Sequence, residues 1–304
     1  VTDLPLQIIA FAWGAIWGSF LNVVIYRLPE DLSVVKPGSH CPACKTPIRW
    51  YDNVPIFSYL VLRGRCRQCA EEFSPRYAMV EATCAVLALA LFRATVLPLA
   101  PETFVQGLIM WGWLQVFVYA LIAITFIDLE HLYIPDVISL PLIVIGVGGA
   151  FAIPTPVPLD HLFGAVGGAL FLLLVAGIGW LLFRREAMGM GDVKLLAAIG
   201  AYLGWMALPF VLFASAAQAL IAVMIARLYS AVTGREEDLT RTTAEVDAHF
   251  EEEDRYDDEL PSRLAVPYGP FLALAALEAL FFGHTLIWEW AEAISLWALT
   301  LLAA

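Results

Sequence analysis

Eight apolar stretches, at residues 4–26, 77–97, 104–127, 136–153, 161–183, 193–206, 207–229 and 265–283, take up more than half of this 304-residue chain. Most approach the ~20 residues that a helix needs to cross a hydrocarbon core. Hydrophobic residues reach 61% and charged ones only 15%, where a soluble domain holds roughly 45–50% and 25%. So much apolar surface has to face lipid. A water-soluble globule, a disordered chain, a collagen and a secreted disulfide scaffold are excluded. The expected fold class is an all-α polytopic membrane protein of about eight transmembrane helices, with the lipid bilayer as its solvent and one small extramembrane domain. The window 193–206 is short and contains Gly200 and Gly204, so its edges are poorly marked. Residues 285–303 carry Glu289 and Glu292 among Trp288, Trp290 and Trp297, which reads as an interfacial helix at headgroup level or a ninth span. The first stretch, Leu4 to Leu28, is too long for a signal-peptide core and lacks a basic leader, so it reads as the first span.

The net charge of −12 has one source. Residues 236–259 contain 12 Asp and Glu against Arg241 and Arg255. Such a run reads as a solvated spacer or as a docking tail for a basic partner. No basic stripe points to nucleic acid. Lys and Arg instead report orientation. Eight of the 17 lie in residues 27–76; Arg184, Arg185 and Lys194 flank one turn; Arg227, Arg235, Arg241, Arg255 and Arg263 flank another; loops 98–103 and 154–160 have none. Positive-inside then places 27–76, 128–135, 184–192 and 230–264 in the cytoplasm and the N-terminus outside. The expected organisation is a first transmembrane helix (1–28), a cytoplasmic cysteine domain (29–75), a transmembrane catalytic domain (76–283) with an acidic cytoplasmic loop (234–263), and a C-terminal interfacial or additional membrane helix (284–304).

Four of the five cysteines form two C-x-x-C pairs, Cys41/Cys44 and Cys66/Cys69, separated by 21 mixed, fairly polar residues. Two such knuckles bring four thiolates into one tetrahedron, which suits Zn²⁺ in a zinc-ribbon-like fold. A reducing cytoplasm disfavours disulfides. Redox dithiols and a chance pattern are the other readings. Four cysteines leave no open coordination position, so the expected role is structural. His40 abuts the set without being needed by it, and Cys84 reads as a packing residue within a span.

Two aspartates stand beside apolar runs. Asp128 ends one span in F126-I-D-L-E-H-L-Y-I-P-D136, and Asp192 opens another in M188-G-M-G-D-V-K194. A carboxylate near lipid costs roughly 2.5–3.5 kcal/mol even on the lenient insertion scale, so both are functional candidates. Gly189 and Gly191 permit a tight turn and a close backbone approach just before Asp192. Two carboxylates brought together share a proton, one serving as general base and the other as acid. The plainer reading is that Asp192 caps a helix and Asp128 pairs with Lys or Arg. Asp136 reads as an acid at a helix start, Glu130 and His131 as loop residues outside any metal motif, and Glu81 and Glu278 as span residues paired with basic groups.

Taken in order, several motifs resemble the bacterial type IV prepilin leader peptidases. They are G18-S-F-L-N-V-V-I-Y-R-L-P29, W50-Y-D-N-V-P55 and L62-R-G-R-C66 around the paired cysteines, R76-Y-A-M-V-E81, Asp128 with I134-P-D136, G189-M-G-D192 with K194-L-L-A-A-I-G200, and V266-P-Y-G-P-F271. The resemblance runs from about residue 14 to residue 283. It implies that Asp128 and Asp192 are the catalytic pair of a G-x-G-D membrane aspartic protease, and that Cys41, Cys44, Cys66 and Cys69 match the tetracysteine set of many members. The acidic insertion is longer than the family pattern leads one to expect. The resemblance further implies a multi-pass protein of the bacterial cytoplasmic (inner) membrane with two activities. One cleaves the basic leader of prepilins or pseudopilins after a glycine at the cytoplasmic face. The other N-methylates the new terminus, with S-adenosylmethionine as methyl donor, although no recognisable motif for that donor appears. Two rival readings remain: a non-catalytic membrane transport subunit with a zinc-binding cytoplasmic domain, and a membrane thiol oxidoreductase using the C-x-x-C pairs.

Overall fold

Each of the eight apolar windows holds a helix in the computed structural model, which describes residues 3–153, 157–184, 189–233, 241–242, 264–265 and 267–283. The long helices are α1 (Leu4–Arg27), α3 (Arg76–Thr95), α4 (Phe104–His131), α6 (Pro158–Phe183) and α8 (Ala207–Thr233). These five are long and apolar enough to cross a membrane. Shorter apolar helices are α5 (Asp136–Ala152) and α9 (Gly269–Gly283), and α7 (Met190–Leu203) is shorter still. The protein is an all-α membrane protein. The one sheet among the described residues pairs Arg241–Thr242 with Leu264–Ala265, antiparallel. The rest of the acidic run and residues 284–304, where an interfacial or ninth helix is expected, lie outside the described residues.

The chain divides into two compact units, Val1–Ala123 with Ala152–Pro154, and Ile124–Phe151 with Thr155–Ala304. In the first, α1 and α3 pack through small residues. A Cβ on Gly14 would lie 2.5 Å from the Cys84 carbonyl oxygen and 2.6 Å from Ala88 Cβ, and one on Gly18 would lie 2.7 Å from Glu81 Cα. This is G-x-x-x-G packing, which lets backbones touch where lipid supplies no hydrophobic drive between helices. Cys84 is fully buried there, in accord with a packing role. Trp13, Trp17, Trp111 and Tyr119 extend the contact: Trp17 stacks on Tyr119 at 6.1 Å, and Trp13 lies 5.9 Å from Trp17 and 6.3 Å from Trp111.

The loop between α1 and α3 holds the cysteines and a short helix, α2 (Phe57–Val61). It is tied to both spans. Arg27, in the last turn of α1, donates to the Ser33 carbonyl at 2.9 Å, and where the loop's two ends meet Asn22 of α1 donates to the Tyr77 carbonyl of α3 at 3.0 Å. Glu81 was expected to pair with a base. Its Oε2 instead accepts the Ile56 backbone N–H at 2.7 Å, with the Ser19 hydroxyl as a further partner. Ile56 sits at φ 62°, a conformation unfavourable for a β-branched residue, so the bond to Glu81 holds a strained corner in place.

In the second unit, α6 and α7 press together at Gly164 and Gly200, where a Cβ on either would overlap the other's carbonyl. His161 Nδ1 lies 3.1 Å from the Ala201 carbonyl oxygen on the same interface. Among the described residues, Glu278 is met not by a base but by Gln218 Nε2, which donates to it at 2.8 Å. Much of α6 and α8 stays apolar and exposed, as in Leu170, Leu174, Leu181, Phe213, Ile221 and Ile225, which is the surface a bilayer would solvate.

Candidate active site and metal centre

The two C-x-x-C segments fold as near copies of one another. In the first, the Cys41 N–H donates to the Thr46 carbonyl at 3.0 Å and the Lys45 N–H to the Cys41 carbonyl at 2.9 Å. In the second, Cys66 donates to Glu71 at 2.8 Å and Ala70 to Cys66 at 2.9 Å. The residue after each second cysteine turns left-handed, Lys45 at φ 57° and Ala70 at φ 58°. Single antiparallel bridges, His40 with Pro47 and Arg65 with Glu72, close the two loops. Asp52, from the single-turn helix Trp50–Asp52, accepts a bidentate contact from Arg67 at 2.9–3.0 Å from Nε. That guanidinium holds the Asp52 carboxyl below the ordinary carboxylate range and pins the second knuckle to the W50-Y-D-N-V-P55 segment.

All four sulfurs lie within 4.8 Å of one another, and all four cysteines are free thiols. Cys41 and Cys69 are 3.7 Å apart, and Cys44 and Cys66 are 4.0 Å apart. A tetrahedron with Zn–S bonds of ~2.3 Å has edges of about 3.8 Å, so the donor set fits a tetrahedral soft-metal ion. The Thr46 hydroxyl and backbone beside Cys44 bring its thiol down to about 6, and the Cys69 and Gln68 amides lower Cys66. Both effects favour the thiolates a metal needs, whereas Cys69, despite a hydrogen bond from the Glu71 backbone, is pushed up to about 12 by burial and the neighbouring cysteines.

The aspartates belong to the second unit. Asp128 lies in the last turn of α4, which continues to His131. Glu130 and His131 are therefore helical rather than loop residues. The polar D128-L-E-H131 run resembles a loop, but the helix runs through His131 and ends where Leu132 turns left-handed at φ 55°. Asp128 is buried at 5% exposure. Its Oδ2 accepts the Gly269 backbone N–H at 2.9 Å, so among the described residues its partner is a helix N-terminus and not the Lys or Arg of the plainer reading. Asp192 is the third residue of α7, with Gly189 in the N-cap position. The two carboxylates are electrostatic neighbours, and Tyr268 is a neighbour of Asp192 in turn.

Ile134 explains how these pieces meet. It is buried at 7% exposure, and its side chain abuts two glycines from distant parts of the chain. A Cβ on Gly191 would lie 2.9 Å from Ile134 Cβ, and one on Gly269 would lie 3.3 Å from Ile134 Cδ1. The I-P-D, G-x-G-D and P-Y-G-P segments thus converge on one side chain. Lys194 of α7 adds an ion pair to Asp136 in the first turn of α5, at 2.5 Å, beyond the helix-start role expected of Asp136. Ser215 of α8 and Tyr268 share a hydroxyl contact at 2.8 Å. Gly269 is the site residue that side-chain reasoning misses. Its contribution is a backbone N–H, and its signal in the sequence is its place in V266-P-Y-G-P-F271, a motif to which the resemblance attached no role.

Comparison with known proteins gives the family. The family description "Bacterial Peptidase A24 N-terminal domain" matches residues 12–95, which include all four knuckle cysteines, and "Type IV leader peptidase family" matches residues 115–225, which include both aspartates. The prepilin leader peptidase/N-methyltransferase of Myxococcus xanthus (strain DK1622) is 33% identical, over 90% of this chain and 89% of its own. The protein of that name from Aeromonas hydrophila is 33% identical over 96% and 93%, and that from Klebsiella pneumoniae is 41% identical over 66% and 86%. No solved structure matches the chain. With its two motif-bearing segments matched and relatives aligned along nearly its full length, the chain belongs to the type IV leader peptidase family.

Proposed function

We propose that the protein is a membrane aspartic endopeptidase that removes the leader of type IV prepilins or pseudopilins and N-methylates the new terminus. The observation that carries this reading is the burial of Asp128 beside Asp192, at a point where three separate chain segments converge on Ile134. Nothing about helix packing requires two carboxylates there, and intramembrane carboxylates held close are costly unless used. One carboxylate takes a proton from water as its oxygen attacks the scissile carbonyl carbon, and the other protonates the carbonyl oxygen. The resulting diol collapses with proton transfer to the leaving nitrogen, which regenerates the pair.

The distribution of Lys and Arg supports a cytoplasmic site in the bacterial inner membrane. In that arrangement the tetracysteine domain at 29–75, with Zn²⁺ bound by Cys41, Cys44, Cys66 and Cys69, is a structural element on the same side. S-adenosylmethionine supplies the methyl group for the second activity. Cleavage of a prepilin peptide by the purified protein in detergent, read by mass spectrometry of the mature end, tests the reading. Release of the leader is expected, with the mature terminus gaining one methyl group when the donor is added. Intact substrate after incubation with a folded, zinc-loaded preparation would overturn it.

A further inference from the structure

A dyad that shares one proton needs its two members to differ, and their surroundings do. Asp128 Oδ2 receives a directed donor, the Gly269 N–H, at 2.9 Å. That N–H is one of the unpaired donors at the start of α9, where the helix field also favours an anion. Among the described residues Asp192 has no matching donor. Its place in the first turn of α7 exposes it to a helix field as well, but without a bond aimed at an oxygen. A hydrogen bond to a carboxylate favours its charged form.

Resting on the dyad reading above, we infer that Gly269 is a positioning residue whose backbone N–H fixes Asp128 as the ionised member of the pair. Asp128 then takes the proton from the attacking water, while Asp192 carries the shared proton and gives it to the scissile carbonyl oxygen. Collapse of the diol returns a proton from its hydroxyl to Asp192 and moves the Asp128 proton to the leaving nitrogen as the C–N bond breaks. Only glycine serves at position 269. A Cβ there would lie 2.6 Å from Asp128 Oδ2 and 3.3 Å from Ile134 Cδ1, so any side chain drives the carboxylate off the N–H. The other titratable and charged groups around the pair are Tyr268, Lys194, Glu130 and His131. Tyr268 faces Asp192 and is bound to Ser215 at 2.8 Å, Lys194 of α7 is engaged by Asp136, and Glu130 and His131 follow Asp128 on α4 itself.

Replacing Gly269 by glycolic acid during translation turns its amide into an ester. The change replaces the N–H with an oxygen and adds no side chain. Prepilin-peptide cleavage is then followed against pH. Losing a bond that favours ionised Asp128 makes the first ionisation of the pair harder and leaves the second, at Asp192, where it was. The acid limb of the rate profile is expected to move to higher pH by about one unit or more, with the alkaline limb fixed. If Asp128 instead holds the shared proton, the alkaline limb moves and the acid limb stays. That result, or two unmoved limbs, overturns the inference. Gly269→Ala is the second variant, with folding checked by circular dichroism and zinc content, and its acid limb is expected to move in the same direction. Unmoved limbs together with inactive Asp128→Asn and Asp192→Asn variants leave the dyad reading standing without this inference. Undiminished cleavage by a folded Asp128→Asn variant removes the dyad reading itself.

Discussion

Replacing Asp128 or Asp192 by Asn keeps the side chain's size and most of its hydrogen bonding while removing its titration. Each single variant is expected to lose leader cleavage by about 10²–10⁴-fold or more while remaining folded. Peptide cleavage measured alongside a thermal unfolding curve separates chemistry from stability. Asp136→Asn is the contrasting case. Its pair with Lys194 is partly exposed, so the change should cost ~0–1 kcal/mol and leave cleavage within a few-fold. A comparable loss at Asp136 would mean that α5 and α7 need this pair to hold the dyad. The aspartates were legible in the sequence because a carboxylate beside an apolar run is costly enough to stand out. Gly269 stood out only as part of V266-P-Y-G-P-F271; its role was not legible, because a backbone donor leaves no side-chain pattern to read. The same gap explains Glu81 and Glu278. Hydropathy marks them as carboxylates in spans and suggests bases as partners, yet their partners are the Ile56 amide and the Gln218 side chain. Those are contacts that only the tertiary packing creates.

At the scale of the element, the knuckle pair is the part of the fold most readable from spacing. The C-x-x-C repeat dictates its own hydrogen-bond pattern, and both copies adopt it with matched left-handed residues at Lys45 and Ala70. Purified protein should contain one zinc per chain by elemental analysis. Cys41→Ser should release it and loosen residues 40–70 while leaving the aspartate pair's chemistry in place. Less than about half an equivalent of any metal, with four titratable thiols, would count against the site. The anchoring of this domain was not legible. Glu81 reaches from α3 to the Ile56 N–H at 2.7 Å, and that link depends on α1 and α3 approaching closely at Gly14 and Gly18. Glu81→Ala leaves a buried amide unpaired at a strained corner, a loss of ~1–3 kcal/mol. Faster amide hydrogen exchange over residues 54–58 is the expected signature, and Glu81→Gln should restore protection because its carbonyl can still accept.

For the molecule as a whole, hydropathy located the helices better than it measured them. All eight windows are helical, but α5, α7 and α9 are shorter than a full span. These three short helices, with the end of α4, supply Asp136, Asp192, Gly269 and Asp128. Window averages blur their ends because glycine and proline at the boundaries, which set up the site, are also what shortens the apolar run. The division of the chain into two compact units, with the tetracysteine domain in the first and the dyad wholly in the second, bears on the two activities. Methyl transfer to an amine needs a base and positioning, not a pair of carboxylates sharing a proton. A chain carrying Asp128→Asn or Asp192→Asn should therefore still methylate a mature peptide supplied already cleaved, at a rate within a few-fold of the unaltered protein. Incorporation of labelled methyl from S-adenosylmethionine measures this directly. If a folded, zinc-loaded Asp128→Asn chain transfers no methyl group to that peptide, the two reactions share the dyad and the separation fails.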